Sequence, residues 1–299
     1  MLWNITNPFH TTMFHFGIWI KTFHSACVAI LRRESERLGH NSNFTIYDSG
    51  DSRAILKRLI KEMSADIHKL TPGLVASVIS NAKNELKDAE DFARNADRSN
   101  PKERIVAEVF QAYERELLRN NAFDFDDLIG ETVYLFRAFP DVAAVYQKKF
   151  RHILVDEYQD TNQAQNRIVL LLGQQHKNVC VVGDSDQSIY KFRGADMRNI
   201  DQFENAFGET TVVVLAQNYR STQTILTAAN AVISQNIGRR PKDLWTSAGD
   251  GERIVRYFAE DEYDESSWVA STAQDLQKKE KRAWGDIAVM YRTNAQSRA

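Results

Sequence analysis

The sequence predicts an α/β fold: a parallel sheet flanked by helices and interrupted by one block that is helical throughout. Three observations predict it. Two short apolar runs, Ile153-Leu154-Val155 and Val179-Cys180-Val181-Val182, read as buried parallel strands. Each run ends on carboxylates, Asp156-Glu157 and Asp184, and the two lie about 25 residues apart, the separation of a βαβ unit. From about Asn41 to Asn121, by contrast, the apolar residues recur at helical spacing.

The elements follow in chain order. Met1–Ile20 is rich in aromatic and apolar residues, among them Trp3, Phe9, Phe14 and Trp19, but has no Lys or Arg before Lys21. It therefore lacks the basic leader region of a signal peptide. Phe14–Ile20 reads as a strand feeding Thr22-Phe23-His24-Ser25. Residues 22–38 read as a strand end and then an amphipathic helix with Ala26, Ile30 and Leu31 on one face. Asp51 or Ser52 caps the next helix, which runs through Ile55, Leu56, Leu59, Ile60, Met63, Ile67 and Leu70. Thr71-Pro72 and Asn100-Pro101 each start a further helix, because proline suits the first helical position after a capping residue. Between them, the charged stretch Lys87–Arg98 reads as a solvated helix end or loop. From Ala122 the α/β pattern returns, with strands at 152–155, 179–182 and 211–215 and helices at 162–173 and 197–206. Asn218-Tyr219-Arg220-Ser221 opens another helix. Strands at 253–258 and 286–291 flank a helix near 266–280, and Arg239-Arg240-Pro241-Lys242 marks a loop.

With 299 residues, 43% of them hydrophobic, the chain can bury two domain cores. Its net charge of −2 gives no global basic field, so nucleic-acid binding would need local placement of Lys and Arg. Cys27 and Cys180 lie in apolar segments and read as reduced core residues of a cytoplasmic protein. No His/Cys cluster argues for zinc, and no apolar run is long enough to span a bilayer.

The chemistry concentrates where the predicted strands end. In open α/β sheets ligands bind at the carboxyl ends of the strands. An Asp there can hold Mg²⁺ on a nucleoside triphosphate, and a neighbouring Glu can orient or deprotonate a water. A lone Asp-Glu pair would more simply be a strand stopping at solvated charge; the second strand ending the same way favours a site. Tyr190-Lys191-Phe192-Arg193 interleaves rings with cations, a pattern that suits single-stranded DNA, although one of the two rings could equally be core.

ILVDEYQDTN (153–162), VVGDSDQSIYKFRGAD (181–196) and QNYRST (217–222), in this order, resemble the motifs of the UvrD/PcrA/Rep group of superfamily 1 DNA helicases. KTFHSACVAILRRE (21–34), FDFDDLI (123–129) and VMYRTNAQSRA (289–299) match the same family, so the resemblance runs from about Lys21 to Ala299. It implies a RecA-like motor domain formed by 1–40 and 122–215, an all-α subdomain inserted at 41–121, and the start of a second RecA-like domain at 216–299. It implies ATP and Mg²⁺ as cofactors and single-stranded and duplex DNA as partners, with no membrane. Asp156 would hold the metal, Glu157 the hydrolytic water, and Gln187 would sense the γ-phosphate. Tyr219 would stack on adenine, Arg220 would act as an arginine finger, and Arg292 would lie near the nucleotide. Thr22, His24, Tyr190, Phe192 and Arg193 would meet DNA. Phe125 reads as a packing residue. Two departures stand out: Phe192 replaces the usual Trp, and Ala216 stands where the family often has Glu.

The family also needs GxxxxGK[ST], whose amides cradle phosphates. The 299 residues contain no such segment, nor the adenine-contacting Gln motif before it. The expectation is a helicase fragment, inactive alone, with 3′-to-5′ translocation and a role in repair or replication. The alternatives are an ATPase-dead DNA- or partner-binding module and the motor part of a helicase–nuclease.

Overall fold

Short polar side chains set the helix starts. Asp48, Thr71, Asp88, Asn100, Asp124 and Asn162 each precede a helix and accept a backbone N–H of its first turn. The computed structural model describes residues 18–63, 70–97, 99–191, 194–236 and 242–298. They fall into two units, Met1–Val213 and Val214–Ala299.

In the first unit, α1 (Phe23–Glu34), α6 (Phe125–Ala138), α7 (Pro140–Lys149) and α8 (Gln163–Gly173) pack around one core. Cys27, Ile30, Leu31, Leu128, Val133 and Tyr146 are buried there. A second core lies among α2 (Ser49–Glu62), α3 (Pro72–Asn84), α4 (Ala89–Asn95) and α5 (Pro101–Arg119). On α5 the buried Val106, Val109, Phe110, Tyr113 and Leu117 recur at three- and four-residue spacing, which turns one stripe inward. The two-residue strands β1 (Thr45–Ile46) and β2 (Ala122–Phe123) pair in parallel where the chain enters and leaves this helical block.

The third core carries the strands that matter for chemistry. β3 (Ile153–Val155) pairs in parallel with β4 (Val179–Val181), with Leu154 opposite Cys180. Val155, Tyr158, Val169 and Phe203 are buried between this pair, α8 and α9 (Arg198–Phe207).

Several expectations need correction. Cys180 and Leu154 are exposed, Leu154 to 70%, because among the described residues helices cover only one face of the β3–β4 pair. Residues 41–121 are not wholly helical, since Thr45–Ile46 forms β1. The second helix is capped by Asp48 rather than Asp51 or Ser52: the Asp48 carboxylate takes the N–H groups of Gly50 and Asp51, and Asp51 returns the bond. Lys87–Arg98 contains α4, whose Ala89 is buried in the second core. On α1 it is Cys27, not Ala26, that joins Ile30 and Leu31 in the core. Ile18–Ile20 form no strand, and Thr22 is a helix cap; Phe14–Gly17, Ile67 and Arg239–Pro241 lie outside the described residues.

In the second unit, α10 (Gln223–Ile233) and α11 (Glu262–Lys279) are the α-helices among the described residues. The predicted strands at 211–215, 253–258 and 286–291 form no ladder among the described residues, and Asp286 ends a 3₁₀ turn, Trp284–Asp286. Their apolar side chains are exposed, Leu215 to 76% and Met290 to 92%. β-branched composition favours extended backbone, but a strand exists only with a hydrogen-bonding neighbour. Gln217 and Trp245 make an isolated parallel bridge in this unit.

Candidate active site

Strand β3 buries Val155 and then turns at once. The Asp156 carboxylate accepts the Glu157 backbone N–H at 2.9 Å. Glu157 itself sits in the left-handed region, with φ 51° and ψ 44°. That conformation costs a residue with a side chain about 1–2 kcal/mol, and such costs persist where the surroundings over-determine the backbone. Here β4 does so. The Val182 N–H donates to the Val155 carbonyl at 2.8 Å, and the Tyr158 N–H donates to the Val182 carbonyl at 2.9 Å. Gly183 completes the fit: a Cβ there would lie 2.7 Å from Gln159 Oε1 and 3.2 Å from the Gln159 backbone nitrogen.

A chain of hydrogen bonds runs across this edge. Gln159 Nε2 donates to Glu157 Oε2 at 2.7 Å. Gln159 Oε1 accepts the Asp184 N–H at 2.9 Å. Gln187 Nε2 in turn donates to Asp184 Oδ2 at 2.7 Å. Gln159 is buried, so its amide serves as a fixed two-ended connector. Asp156, Glu157 and Gln187 are thus brought to one edge. Gln187 lies in a single 3₁₀ turn, Ser185–Gln187, beyond the end of β4 rather than on the strand itself. Asp184 is the joint, a role that the motifs do not assign to it. Its signal was the carboxylate that ends the second apolar run.

Five carboxylates, Asp156, Glu157, Asp160, Asp184 and Asp186, stand in the segments that follow β3 and β4. Asp160 Oδ1 is buried without a hydrogen-bond partner, and burial, then Glu157, raises that carboxyl above the usual range. Hard anionic oxygens in this number fit a divalent cation. Among the described residues no group of three or more such ligands forms a protein-only metal cage. A cation here would need phosphate oxygens to complete its shell, which is how Mg²⁺ is held on nucleotides.

The residues expected to meet DNA are placed less uniformly. Thr22 caps α1, its hydroxyl accepting the Ser25 N–H at 3.2 Å. His24 meets Phe125 edge-on at 5.7 Å, and burial lowers its pKa, so it offers a ring and a polar edge rather than a charge. Phe125 is half exposed, contrary to a pure packing role. Tyr190 is partly buried, and its carbonyl accepts the Ala195 N–H at 3.3 Å. Phe192 and Arg193 lie outside the described residues.

In the second unit Tyr219 is 83% exposed, and its hydroxyl donates to Gln217 Oε1 at 2.9 Å. Asn218 Oδ1 accepts the backbone N–H groups of Arg220 and Ser221 at 2.9 and 2.7 Å. This turn presents Tyr219 and Arg220 on the surface just before α10. Arg292 is also exposed, its N–H donating to Gln296 Oε1 at 2.9 Å.

Comparison with known proteins places these features in a family. Residues 1–208 match the UvrD/REP helicase N-terminal domain, and residues 213–299 match the UvrD-like helicase C-terminal domain. The ATP-dependent DNA helicase UvrD1 of Mycobacterium tuberculosis is 50% identical over 291 residues, covering 94% of this chain and 38% of its own length. The ATP-dependent DNA helicases PcrA of Leuconostoc citreum and Bacillus subtilis are 50% and 48% identical over 281 residues each. Each again covers 94% of this chain, and the chain spans only 37% and 38% of those relatives.

Proposed function

The chain belongs to the UvrD/PcrA-type superfamily 1 helicases, with their RecA-like α/β fold, and from that premise we propose that it carries the motor chemistry of an ATP-dependent DNA helicase. One observation supports this reading above the others: the hydrogen-bond chain Glu157–Gln159–Asp184–Gln187 across the strand ends. This chain links the candidate base to the candidate phosphate sensor through two intermediaries, Gln159 and Asp184.

The roles follow from the geometry. When bound, Mg-ATP supplies the phosphoanhydride and a cation that offsets its charge. Asp156 is the residue that would hold that cation, through a carboxylate oxygen. Glu157 orients the attacking water and takes its proton on Oε1, because Oε2 is held by Gln159. Gln187 reports on the γ-phosphate through Asp184. By resemblance to the family, Tyr219 is assigned to adenine stacking, Arg220 to phosphoryl charge as an always-charged fork, and Arg292 to the nucleotide. Thr22, His24, Tyr190, Phe192 and Arg193 grip single-stranded DNA, with duplex unwinding and 3′-to-5′ stepping in repair or replication, in the cytoplasm. Residues 41–121 act as an inserted helical subdomain between 1–40 and 122–215, and 216–299 opens a second motor domain. No GxxxxGK[ST] occurs in the 299 residues, so the chain alone binds DNA with negligible ATP turnover.

The test joins these residues to the phosphate-loop segment of a related helicase. Glu157→Gln should abolish DNA-stimulated hydrolysis in the chimaera while ATP binding persists, since the amide keeps the shape but accepts no proton. Normal turnover in that variant would remove Glu157 from the mechanism.

A further inference from the structure

The C-terminal turn of α3 touches two other helix starts through neighbouring side chains. Lys83 Nζ reaches Asp124 Oδ2 at 2.9 Å, Asp127 Oδ1 at 2.5 Å and Glu114 Oε1 at 2.8 Å. Asp124 and Asp127 form the capping box of α6, so Lys83 clamps that helix start onto α3. Asn84, the next residue, points elsewhere. Its Nδ2 donates to the Ser80 carbonyl at 2.8 Å and to Asp126 Oδ1 at 3.1 Å, and its Oδ1 accepts from Asn162 Nδ2. Asn162 is the N-cap of α8, directly after the turn that carries the acids.

A third segment converges there. Gly194, at φ +83°, lies against this amide pair: a Cβ on it would sit 3.6 Å from Asn84 Cβ and 3.7 Å from Asn162 Cβ. The Gly194 N–H donates to the Lys191 carbonyl at 3.0 Å, and the Asp196 N–H donates to the Thr161 carbonyl at 3.1 Å. Asn199 Nδ2 donates to the same carbonyl at 2.7 Å. One amide side chain of the helical block therefore bonds the segment after the acids and lies close to Gly194 in the segment after Tyr190-Lys191.

We propose that Asn84 is a positioning residue through which the helical block sets the geometry of residues 158–162 against residues 194–199. The physical basis is its placement. Lys83 and the two aspartates fix the end of α3, so Asn84 is a rigid post. Asp196 and Asn199 bond the second segment directly to Thr161, and Asn84 ties the neighbouring Asn162 to α3, so the joint between the two segments is anchored to the helical block through Asn162. Movement of the helical block would then be felt at the acid end and beside Tyr190 together. This rests on the proposed function only in naming those segments as nucleotide and DNA sides.

The experiment is amide hydrogen exchange on the 299-residue chain. Asn84→Ala should raise exchange in 158–162 and in 194–199 roughly 2- to 10-fold, the range expected for losing a hydrogen bond. Exchange in α5 should stay unchanged. Asn162→Asp gives an independent variant: Asp still caps α8, but it has no donor for Asn84 Oδ1, so the same two segments should loosen. Unchanged exchange in both segments, or an equal rise in every helix, would overturn the proposal. Adding oligothymidylate to the parent chain should alter exchange in 158–162, and Asn84→Ala should remove that effect while leaving binding. If the parent chain does not bind the oligonucleotide, the DNA reading fails, and the comparison without it still decides the role of Asn84.

Discussion

Gly183 should resist even the smallest substitution, and the reason lies in the acid turn rather than in backbone conformation. A Cβ at 183 would meet Gln159 Oε1 at 2.7 Å, Gln159 N at 3.2 Å and the Tyr158 nitrogen at 3.3 Å. Two of those three atoms are backbone in a turn already knitted to β4, so they cannot yield cheaply. Overpacking of this kind costs about 1–3 kcal/mol. Replacing glycine also stiffens the unfolded chain, which returns about 0.4–1 kcal/mol. Taking the middle of each range, the net expectation for Gly183→Ala is a loss of about 1.3 kcal/mol, or a fall in Tm of roughly 3–5 °C for a unit of this size. Gly130 is the internal control. It lies inside α6, and a Cβ there meets nothing within 4 Å. Gly130→Ala should therefore stabilise, by about 0.5–1 kcal/mol, through helix propensity alone. Thermal unfolding of both variants beside the parent decides the matter. If Gly183→Ala melts at or above the parent temperature, the close packing of Gly183 on the acid turn does not constrain that turn.

Further expectations follow from other sites. Lys83→Met leaves Asp124 and Asp127 buried without their cation and should cost about 3–5 kcal/mol, measured by urea unfolding. Burial, then Glu114, lifts the Glu131 carboxyl from 4.5 to about 7. The folded state therefore holds a proton that the unfolded chain has released, so this group's contribution falls as pH rises from about 4.5 to 7, and Glu131→Gln should flatten that part of the stability profile. Phe192→Ala should weaken single-stranded DNA binding about 5- to 150-fold at fixed salt, while Phe192→Trp holds or strengthens it. Arg220→Ala in the phosphate-loop chimaera should cut turnover by roughly 10³ or more if it is a finger, and a smaller loss would assign it elsewhere.

The acid-bearing strand ends were legible in sequence because their signal is local. Two apolar runs ending in carboxylates gave the β3 and β4 positions, and the interval between them predicted the crossover helix α8. Thr71-Pro72 and Asn100-Pro101 marked the starts of α3 and α5 for the same reason: capping and proline geometry depend on a few adjacent residues. The stretches at 211–215, 253–258 and 286–291 read as strands from composition, which specifies backbone preference but says nothing of a partner to complete a ladder.

What the sequence by itself determined, then, is the helix starts, the parallel pair and the identity of the acids at its end. Tertiary structure alone decided how those acids are held. The left-handed backbone at Glu157 is sustained by β4, from the other side of a crossover helix, and Gln159 meets Asp184 across 25 positions of chain. Asn84 reaches Asn162 across 78 positions, and Lys83 finds its aspartates more than 40 residues away. Contacts at such separations leave no periodicity in the chain. They arise only when packing of the three cores closes the intervening loops, because that burial is what offsets the entropy of bringing distant groups together.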